Sequence, residues 1–327
     1  MNKNKIHKIL SLDSGASSIR SVIFDMNGRT IASNNVSVGA NITIDPENST
    51  KHIISTISDV LNEAKLSYDD IGQFSLGVAG ISSDAAREML FKRLEECGIS
   101  SRTHLTSDVN PIFEMNCSDN SAILVSVGTG CICLGRNMES KIEKVGGLGL
   151  EQDAGSGFWI GKELILNLSF SKNENYNEKE FDELLGMALD FFDSTELNIA
   201  IDKIMESSDR YRKIASICNP LFEFAKAGNE IAISIVQQGS QHIADMIIFL
   251  CDQISYTNDE LILIANGGII NDKFFRKSLA NALSFDFKSI KWLFPIISSA
   301  YYPGLMSAKI LGMNIDVNDI IRGKNKE

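Results

Sequence analysis

The feature of this sequence that most constrains its fold is a strand–loop–strand pattern that occurs twice. In the first half, a strand at Ile9–Asp13 enters a tight segment of small residues, and a second strand, Ile19–Asp25, follows at once. In the second half, residues 121–127 form an apolar strand that enters Gly128–Gly130, and another strand leaves that loop at Cys131. An internal duplication of this kind predicts two similar domains.

Helices and parallel strands are predicted after each copy of the pattern. A third strand, Thr30–Val38, follows the hairpin signal Asn27-Gly28, and the first half then reads β-β-β-α-β-α-β. Repeated in the second half, this order predicts an α/β fold of two domains that face each other across a cleft. The other predicted elements are helices at Lys51–Ala64, 83–97, Ile231–Gln253, Asp272–Leu283 and Tyr301–Leu311 and strands at Phe74–Gly80, His104–Thr106, Leu261–Ala265 and Ile290–Phe294.

The boundary between the domains is predicted near residues 114–120, which assigns 1–116 to the first domain and 117–327 to the second. A chain of 327 residues is long enough for each domain to bury its own core. Residues 171–230 are amphipathic with several breaks, and we interpret them as an inserted layer of helices. The final predicted helix can pack back onto the first domain.

The charge balance excludes some partners. The net charge is −11 and the pI is about 5.0, so the chain repels nucleic-acid backbones and anionic membranes. A bound nucleotide would need a local positive potential, which backbone N–H groups in glycine loops supply. The most apolar helix-length stretch, Ile243–Ile254, contains Asp245 and Asp252, so no membrane span is predicted.

The cysteines and the N-terminus predict a cytoplasmic protein with reduced thiols. Only Cys131 and Cys133 lie close together, and a C-x-C pair without a second pair is a poor zinc signature. The basic segment at 1–8 is followed by Asp13 and Gly15, and not by the apolar region of a secretory signal.

Two loops at the carboxyl ends of strands are candidates for phosphate binding. Asp13-Ser14-Gly15-Ala16-Ser17 is a hairpin of small residues whose N–H groups can surround a phosphate, and its carboxylate can hold Mg²⁺ through water. In Gly128-Thr129-Gly130 the glycines let the backbone approach a phosphate, and the threonine hydroxyl adds a donor. A plain capped hairpin and a β-turn are the alternatives. Because the two loops occupy equivalent positions in the duplicated pattern, phosphate binding is the favoured interpretation.

Two further glycine-rich loops are candidates for ligand binding. In Asn266-Gly267-Gly268 the glycines would let an adenine or ribose lie against the end of a strand, although a simple strand-to-helix turn also explains them. The run Gly146-Gly147-Leu148-Gly149 continues to Asp153. The carboxylate of Asp153 can accept hydrogen bonds from a polyol, or cap the helix predicted to begin near Phe158.

Two polar residues outside these loops are also candidates. Asp108 follows the strand that ends at Thr106, and its carboxylate can accept a hydroxyl proton during phosphoryl transfer. The alternative for Asp108 is a cap for a helix that begins at Val109-Asn110. Asn41 lies in a polar loop, where it either binds sugar hydroxyls or serves as an ordinary loop asparagine.

Together these loops resemble the N-acetylglucosamine kinase branch of the BadF/BadG/BcrA/BcrD ATPase family, over nearly the whole chain. The family pattern looks like G-T-G-S, then G-G-W-G, then G-D-E-G-S-x-x-W-I-G. The corresponding segments are Val125–Gly130, Gly146–Gly149 and Asp153–Gly161, in the same order and with closely similar spacing. The resemblance implies two ribonuclease-H-like domains of the actin-like ATPase fold, each of the order β-β-β-α-β-α-β-α. It also implies a homodimer that phosphorylates an amino sugar with ATP and Mg²⁺.

The resemblance implies a role for each matching residue. Asp108 would be the catalytic base, and Asp13 would hold Mg²⁺ through water. ATP would contact Asp13, Ser14, Gly15, Ala16, Ser17, Gly128, Thr129 and Gly130, with its adenosine at Gly267 and Gly268. The sugar would contact Asn41, Asp108, Gly147, Leu148, Gly149 and Asp153.

The sequence departs from the family pattern at several of these positions. The first loop of the family usually reads G-G-G-T, and this chain has Ser14-Gly15-Ala16-Ser17. Leu148 replaces the usual tryptophan, Ala154 replaces the usual glutamate, and the linker at 150–152 is one residue short. N-acetylglucosamine is the expected acceptor, with glucosamine as an alternative. The loss of the tryptophan suggests a wider pocket that would admit N-acetylmuramic acid.

Two other functions are compatible with the same fold. The first is an ATPase activator of an acyl-CoA dehydratase or reductase system, which would need converging thiolates for an iron–sulfur cluster. Cys131 and Cys133 are poorly placed for such a cluster, because they lie in a predicted strand. The second is a sugar sensor without catalytic activity, which the altered first loop suggests and the presence of Asp108 disfavours.

Overall fold

The computed structural model describes residues 7–117, 122–169 and 177–324. The strands are β1 (Lys8–Ser14), β2 (Ile19–Asp25), β3 (Thr30–Val36), β4 (Gln73–Val78), β5 (Thr103–Thr106), β6 (Ile123–Val127), β7 (Cys131–Arg136), β8 (Ile142–Gly146), β9 (Glu260–Asn266) and β10 (Ser289–Leu293). The helices are α1 (Pro46–Ala64), α2 (Asp84–Glu96), α3 (Asn110–Asn116), α4 (Gly157–Ser169), α5 (Glu178–Phe192), α6 (Leu197–Met205), α7 (Arg210–Ser216), α8 (Cys218–Ala227), α9 (Glu230–Ile254), α10 (Lys273–Leu283), α11 (Tyr302–Ile310) and α12 (Val317–Lys324).

The chain forms two compact units. The first unit consists of Met1–Ser118 together with Pro295–Glu327, and the second consists of Asp119–Phe294. The sequence-based division after residue 116 assigns residues 295–327 to the second domain and lets only the final helix pack back. In the structure the C-terminal segment belongs to the first unit, because α11 packs on β1, β4 and α3. Residues 118–120 of the predicted boundary lie outside the described residues.

The sheet of the first unit has the order β3-β2-β1-β4-β5. Strands β1, β2 and β3 form an antiparallel meander, and β4 and β5 run parallel to β1. In this register Asp13 of β1 pairs with Gly77 of β4, and Gly77 pairs with Thr106 of β5. The carboxyl ends of three neighbouring strands therefore place Asp13 and the residues after Thr106 at the same edge of the sheet.

The first helix begins earlier than its apolar periodicity predicts. We expect a helix from Lys51, but α1 begins at Pro46. The Asp45 side chain accepts a hydrogen bond from the Asn48 N–H at 3.1 Å, and proline fits the first helical turn because it has no N–H to leave unpaired. The start signal therefore precedes the amphipathic stretch.

The two faces of this sheet are covered by different helices. Apolar side chains of α1 and α2, including Ile53, Ile57 and Leu90, form a buried core with the strands. On α11 the Gly304 N–H donates to Ser11 Oγ at 2.7 Å. A Cβ at Gly304 would lie 2.7 Å from the Phe24 ring, so only glycine allows α11 to approach the sheet this closely.

The second unit repeats the same arrangement. Its sheet has the order β10-β9-β6-β7-β8, with β6, β7 and β8 as the antiparallel meander and β9 and β10 parallel to β6. Read from the opposite edge, this is the strand order of the first unit, and the predicted duplicated α/β fold is confirmed. Helices α5 to α8 lie within the predicted insertion at 171–230, of which 171–176 lie outside the described residues.

No helix within the described ranges combines the length and the hydropathy that crossing a bilayer requires.

Candidate functional site

The first hairpin loop is fixed by hydrogen bonds to a neighbouring segment. The Gly15 N–H donates to the Ser18 carbonyl at 3.0 Å and closes the turn between β1 and β2. Ser14 Oγ donates to the Ala40 carbonyl at 2.7 Å, and the Ala40 N–H donates to the Gly15 carbonyl at 3.0 Å. A Cβ at Gly39 would lie 1.9 Å from the Ala16 carbonyl oxygen, so glycine is required where the two segments touch. The loop is therefore a rigid hairpin.

Asp13, at the end of β1, is a buried carboxylate with two polar neighbours. It is 7% exposed. Ser299 Oγ donates to Asp13 Oδ2 at 2.5 Å, and Arg20 Nη1 lies 3.6 Å from the same oxygen. Burial raises the pKa of Asp13, while the Ser299 hydrogen bond and the Arg20 charge oppose that rise.

Asp108 lies next to Asp13 in the first unit and shares its electrostatic environment. Burial, and to a smaller extent the negative charge of Asp13, raise the pKa of Asp108 to about 7. Gly77 lies between Asp13 and Thr106 in the register, and a Cβ there would lie 3.4 Å from the Asp108 Cα. Ser107 Oγ, and not the Asp108 carboxylate, accepts the hydrogen bond from the Asn110 N–H at the start of α3, at 3.1 Å. A side chain tuned to a pKa near neutrality is suited to accept a proton.

Asn41 lies beside the first loop in a constrained turn. Its Oδ1 accepts the Thr43 N–H at 3.0 Å, and Thr43 Oγ1 donates to the Gly80 carbonyl at 2.8 Å. Gly80 has φ +81°, and a Cβ there would lie 2.4 Å from Asn41 Oδ1. Within the described residues the Asn41 amide nitrogen has no hydrogen-bond partner, which leaves it available to a ligand.

The second hairpin loop, between β6 and β7, is held by the N-terminus of α4. The Gly157 N–H donates to the Gly128 carbonyl at 2.8 Å, and the Phe158 N–H donates to the Thr129 carbonyl at 3.1 Å. The Gly128 N–H donates to the Gly130 carbonyl at 2.9 Å and closes the turn. The positive end of the α4 dipole thus lies beside the loop, an arrangement that favours a bound anion.

Asp153 organises the glycine-rich loop that precedes α4. It is 5% exposed. Its Oδ1 accepts the Leu148 N–H at 2.9 Å, and its Oδ2 accepts the Cys131 N–H at 3.3 Å. Burial raises the pKa of Asp153, and backbone hydrogen bonds from the loop counteract that rise. The cap of α4 is instead Ser156, whose Oγ accepts the Trp159 N–H at 3.2 Å.

The geometry of this loop bears on the two roles predicted for Asp153. The helix-cap role is wrong, because Ser156 fills it. Both carboxylate oxygens accept backbone N–H groups of the chain, so Asp153 fixes the conformation of the loop at 147–149. Leu148 is 70% exposed at the tip of this loop, where a ligand can touch it.

The third glycine loop lies directly against the second hairpin. The Ile269 N–H donates to the Val127 carbonyl at 3.0 Å, and Asn266 Nδ2 donates to Ser126 Oγ at 2.9 Å. Gly267 has φ +101°, and a Cβ there would lie 2.4 Å from the Val127 carbonyl oxygen. Gly267 and Gly268 therefore adjoin the Gly128–Gly130 loop at the carboxyl ends of parallel strands.

The structure groups the predicted residues by unit. In the first unit it brings together Asn41, Asp108 and the loop Asp13–Ser17. In the second unit it brings together Gly128, Thr129, Gly130, Gly147, Leu148, Gly149, Asp153, Gly267 and Gly268.

Sequence reasoning missed Arg20, Ser299 and Gly77. The register of the hairpin could have identified Arg20. The loop at 15–18 has four residues, so the second residue after it, Arg20, lies opposite the second residue before it, Asp13. Ser299 has no local signal, since it lies 286 residues from Asp13 in sequence.

The carboxylates of the first unit fit a hydrated Mg²⁺. Asp13 Oδ1 has no hydrogen-bond partner among the described residues, and Asp108 adds a second negative charge nearby. Mg²⁺ in nucleotide sites binds one or two carboxylates and keeps several waters. No group of three or more His, Cys, Asp or Glu side chains in the described residues could form a metal cage built only from protein.

Two sheets of equivalent strand order, each with a strand–loop–strand hairpin at the carboxyl edge, define the actin-like ATPase fold class. The sequence pattern of the BadF/BadG/BcrA/BcrD ATPase family matches residues 10–299, and the chain belongs to that family.

Curated proteins and solved structures are similar to this chain over most of its length. An N-acetylmuramic acid/N-acetylglucosamine kinase of Clostridium acetobutylicum is 23% identical over 235 residues, covering 71% of this chain and 76% of that protein. An N-acetyl-D-glucosamine kinase of Dictyostelium discoideum is 24% identical over 276 residues, covering 81% of this chain and 86% of that protein. A solved structure from Chromobacterium violaceum, provisionally named N-acetylglucosamine kinase, matches with a TM-score of 0.71 and 17% identity, covering 92% of this chain and 99% of its own. At that identity the structural match shows the shared fold alone.

Proposed function

We propose that this protein is an ATP-dependent kinase that phosphorylates a hydroxyl of an N-acetylated amino sugar. The observation that carries the proposal is Asp108, a carboxylate whose pKa is raised to about 7 by burial and by Asp13. A general base is most effective when its pKa lies near the working pH. Neither a nucleotide-binding module nor a sugar sensor needs such a group.

The residues divide into those that act on the proton and those that bind phosphate. ATP supplies the phosphoryl group, and Asp108 accepts the proton of the attacking hydroxyl. Asp13 is the residue that would hold a hydrated Mg²⁺, which would offset the negative charge of the phosphates. The Gly128–Gly130 loop, backed by the positive end of α4, binds phosphate oxygens. Gly267 and Gly268 give the adenosine a surface without side chains.

The proposed acceptor is N-acetylglucosamine, with N-acetylmuramic acid as a second substrate. Both sugars appear in the name of the Clostridium relative, and the Dictyostelium relative is named for the first. Leu148 is exposed and stands where the family pattern has tryptophan. A smaller side chain at this position leaves room for the lactyl ether that distinguishes N-acetylmuramic acid. Asn41 and the loop shaped by Asp153 are the proposed sugar contacts.

The arrangement of the thiols disfavours the ATPase-activator alternative. An iron–sulfur cluster shared between subunits needs thiolates at the surface. Cys131 and Cys133 are 3% and 1% exposed within the core of the second unit. Burial also raises the pKa of the Cys131 thiol well above its ordinary value, which disfavours the thiolate form.

A coupled ADP-release assay over a panel of hexosamines tests the proposal. With ATP and Mg²⁺ we expect turnover on N-acetylglucosamine and N-acetylmuramic acid and much less on glucose. Mass spectrometry of the sugar should show one added phosphoryl group. ADP release that is independent of sugar, with no sugar phosphate formed, would contradict the kinase assignment.

A homodimer is part of the proposal because the family resemblance implies it, and a cytoplasmic location is part of it because the spacing of the cysteines favours reduced thiols. Sedimentation equilibrium of the full chain should give twice the monomer mass of 35.9 kDa.

A further inference from the structure

The Asp13 carboxylate is bound on one side only. Ser299 Oγ donates to Oδ2 at 2.5 Å, and Arg20 Nη1 lies 3.6 Å from Oδ2. Arg20 Nη1 also donates to Ser299 Oγ at 3.3 Å, so the hydroxyl hydrogen is directed at the carboxylate. Within the described part of the chain, Oδ1 has no hydrogen-bond partner. The two oxygens of this carboxylate therefore have different environments.

The segment that carries Ser299 is fixed to the first unit at several points. Tyr301 Oη and Thr30 Oγ1 share a hydrogen bond at 2.8 Å, and the Tyr301 ring lies 5.7 Å from the Phe24 ring. Three residues later the Gly304 N–H is bound to Ser11 Oγ at 2.7 Å. Ser299 is thus placed by rigid packing and not by a mobile tail.

Two competing demands act on the Asp13 side chain. A carboxylate can rotate about its terminal torsion, and that torsion is broad and roughly two-fold. Asp108 repels the Asp13 charge, while Ser299 and Arg20 attract one specific oxygen. The Ser299 hydroxyl and the Arg20 guanidinium therefore hold Oδ2 on their own side and leave Oδ1 on the opposite side.

We propose that Ser299 is a positioning residue of the site, which holds Asp13 Oδ2 so that Oδ1 is oriented to bind a water of the nucleotide-bound Mg²⁺. The inference rests on the proposed kinase function. It gives the C-terminal segment, residues 295–327, a role in a site whose carboxylate lies in the N-terminal hairpin. Groups that orient a metal-binding carboxylate commonly affect metal affinity about 10-fold or more.

The test compares Ser299→Ala and Ser299→Thr with the neighbouring control Ser298→Ala, in the full chain. Ser298 is exposed, and its Oγ accepts the Ala300 N–H at the long distance of 3.4 Å, so Ser298→Ala removes a weak cap of the same turn and no hydrogen bond to Asp13. Calorimetry measures ADP binding twice, once with Mg²⁺ and once with a chelator. We expect Ser299→Ala to weaken Mg²⁺–ADP binding about 10-fold and metal-free ADP binding less than about twofold. Ser299→Thr should restore wild-type binding, because it keeps the hydroxyl.

Kinetic constants provide a second readout. The Mg²⁺ concentration for half-maximal activity should rise in Ser299→Ala, while the KM for the sugar is unchanged. The inference would be overturned if Ser299→Ala bound Mg²⁺–ADP as tightly as Ser298→Ala does. It would also be overturned if Ser299→Ala weakened metal-free ADP binding as much as Mg²⁺–ADP binding. A wild-type protein that binds Mg²⁺–ADP but phosphorylates no sugar would refute the kinase proposal alone, since the calorimetric comparison would still stand.

Discussion

The two hairpin loops occupy equivalent positions in a duplicated fold, yet they are built from different chemical groups. Around the first loop the polar groups are side chains: Asp13, Arg20, Asp108 and Ser299. Around the second loop they are mainly backbone groups, with loop carbonyls bound by the first N–H groups of α4. The one carboxylate of the second group, Asp153, is turned inward to backbone N–H donors.

This difference separates two tasks that phosphoryl transfer requires. Clustered carboxylates can accept a proton and attract a cation, whereas N–H groups and a helix N-terminus attract anions. In a chain of net charge −11, backbone groups are also a means to bind polyphosphate without more cationic side chains. Phosphate binding is predicted at both hairpin loops, and the first copy adds the carboxylates that can act on a proton and a cation.

The largest expected effect comes from removing the carboxylate of the first unit. Asp108→Asn should lower kcat by about 10²–10⁴-fold with little change in ATP affinity, because the amide cannot accept the proton. Steady-state kinetics on N-acetylglucosamine measure both constants.

Thermal unfolding at about pH 8 is the control for this variant. The folded state disfavours the charged form of Asp108, since its pKa is raised, so the neutral amide should raise Tm. Asp84→Asn, at an exposed position on α2 where the carboxylate pairs with Arg87, should leave kcat unchanged and lower Tm only slightly. Near-normal turnover of Asp108→Asn would refute the assignment of the base.

The second unit should respond most to changes in its backbone. Gly267→Ala places a Cβ 2.4 Å from the Val127 carbonyl at φ +101°, and we expect a loss of about 2–3 kcal/mol in the free energy of unfolding. Gly15→Ala in the first loop should change that free energy by less than about 0.5 kcal/mol, because the nearest atom would lie 3.7 Å away. Denaturant titration of both variants measures these free energies of unfolding. An equal loss in the two variants would contradict the proposed difference between the loops.

A smaller effect is expected from the inward carboxylate of the second unit. Asp153→Asn leaves one of the Leu148 and Cys131 N–H groups without its acceptor, which should destabilise the loop by about 1–2 kcal/mol. The KM for the sugar should rise about 10-fold, with kcat largely retained, because the base lies in the other unit. Asp202→Asn, at an exposed position on α6, is the matched control. A collapse of kcat with an unchanged KM would place Asp153 in the chemistry instead.

The repeated pattern in the sequence predicts the fold well, because strands, hairpin loops and parallel connections leave local signals. The duplicated α/β order follows from strands such as Ile9–Asp13 and the loops between them, and the resemblance of the glycine loops to the family implies the actin-like class. Contacts between distant segments leave no such signal. The Ser299–Asp13 hydrogen bond and the return of residues 295–327 to the first unit depend on packing that only the folded chain reveals.

The individual roles of site residues are also harder to predict than their positions. Asp153 was recognisable as a loop carboxylate, but its two bonds to backbone N–H groups depend on how residues 147–149 fold. The pKa of Asp108 depends first on burial and then on the charge of Asp13, which lies on another strand, so the sequence could suggest a base but not its pKa.

The dependence of kcat/KM on pH tests the central claim most directly, because it reports the ionisation of the free enzyme. A proton acceptor must be deprotonated, so activity should reach a plateau above about pH 7 and fall about tenfold for each pH unit below it. The same profile for Asp108→Asn should lose this ionisation. A wild-type profile that is flat between about pH 5 and about pH 9, or one that Asp108→Asn leaves unchanged, would contradict the account.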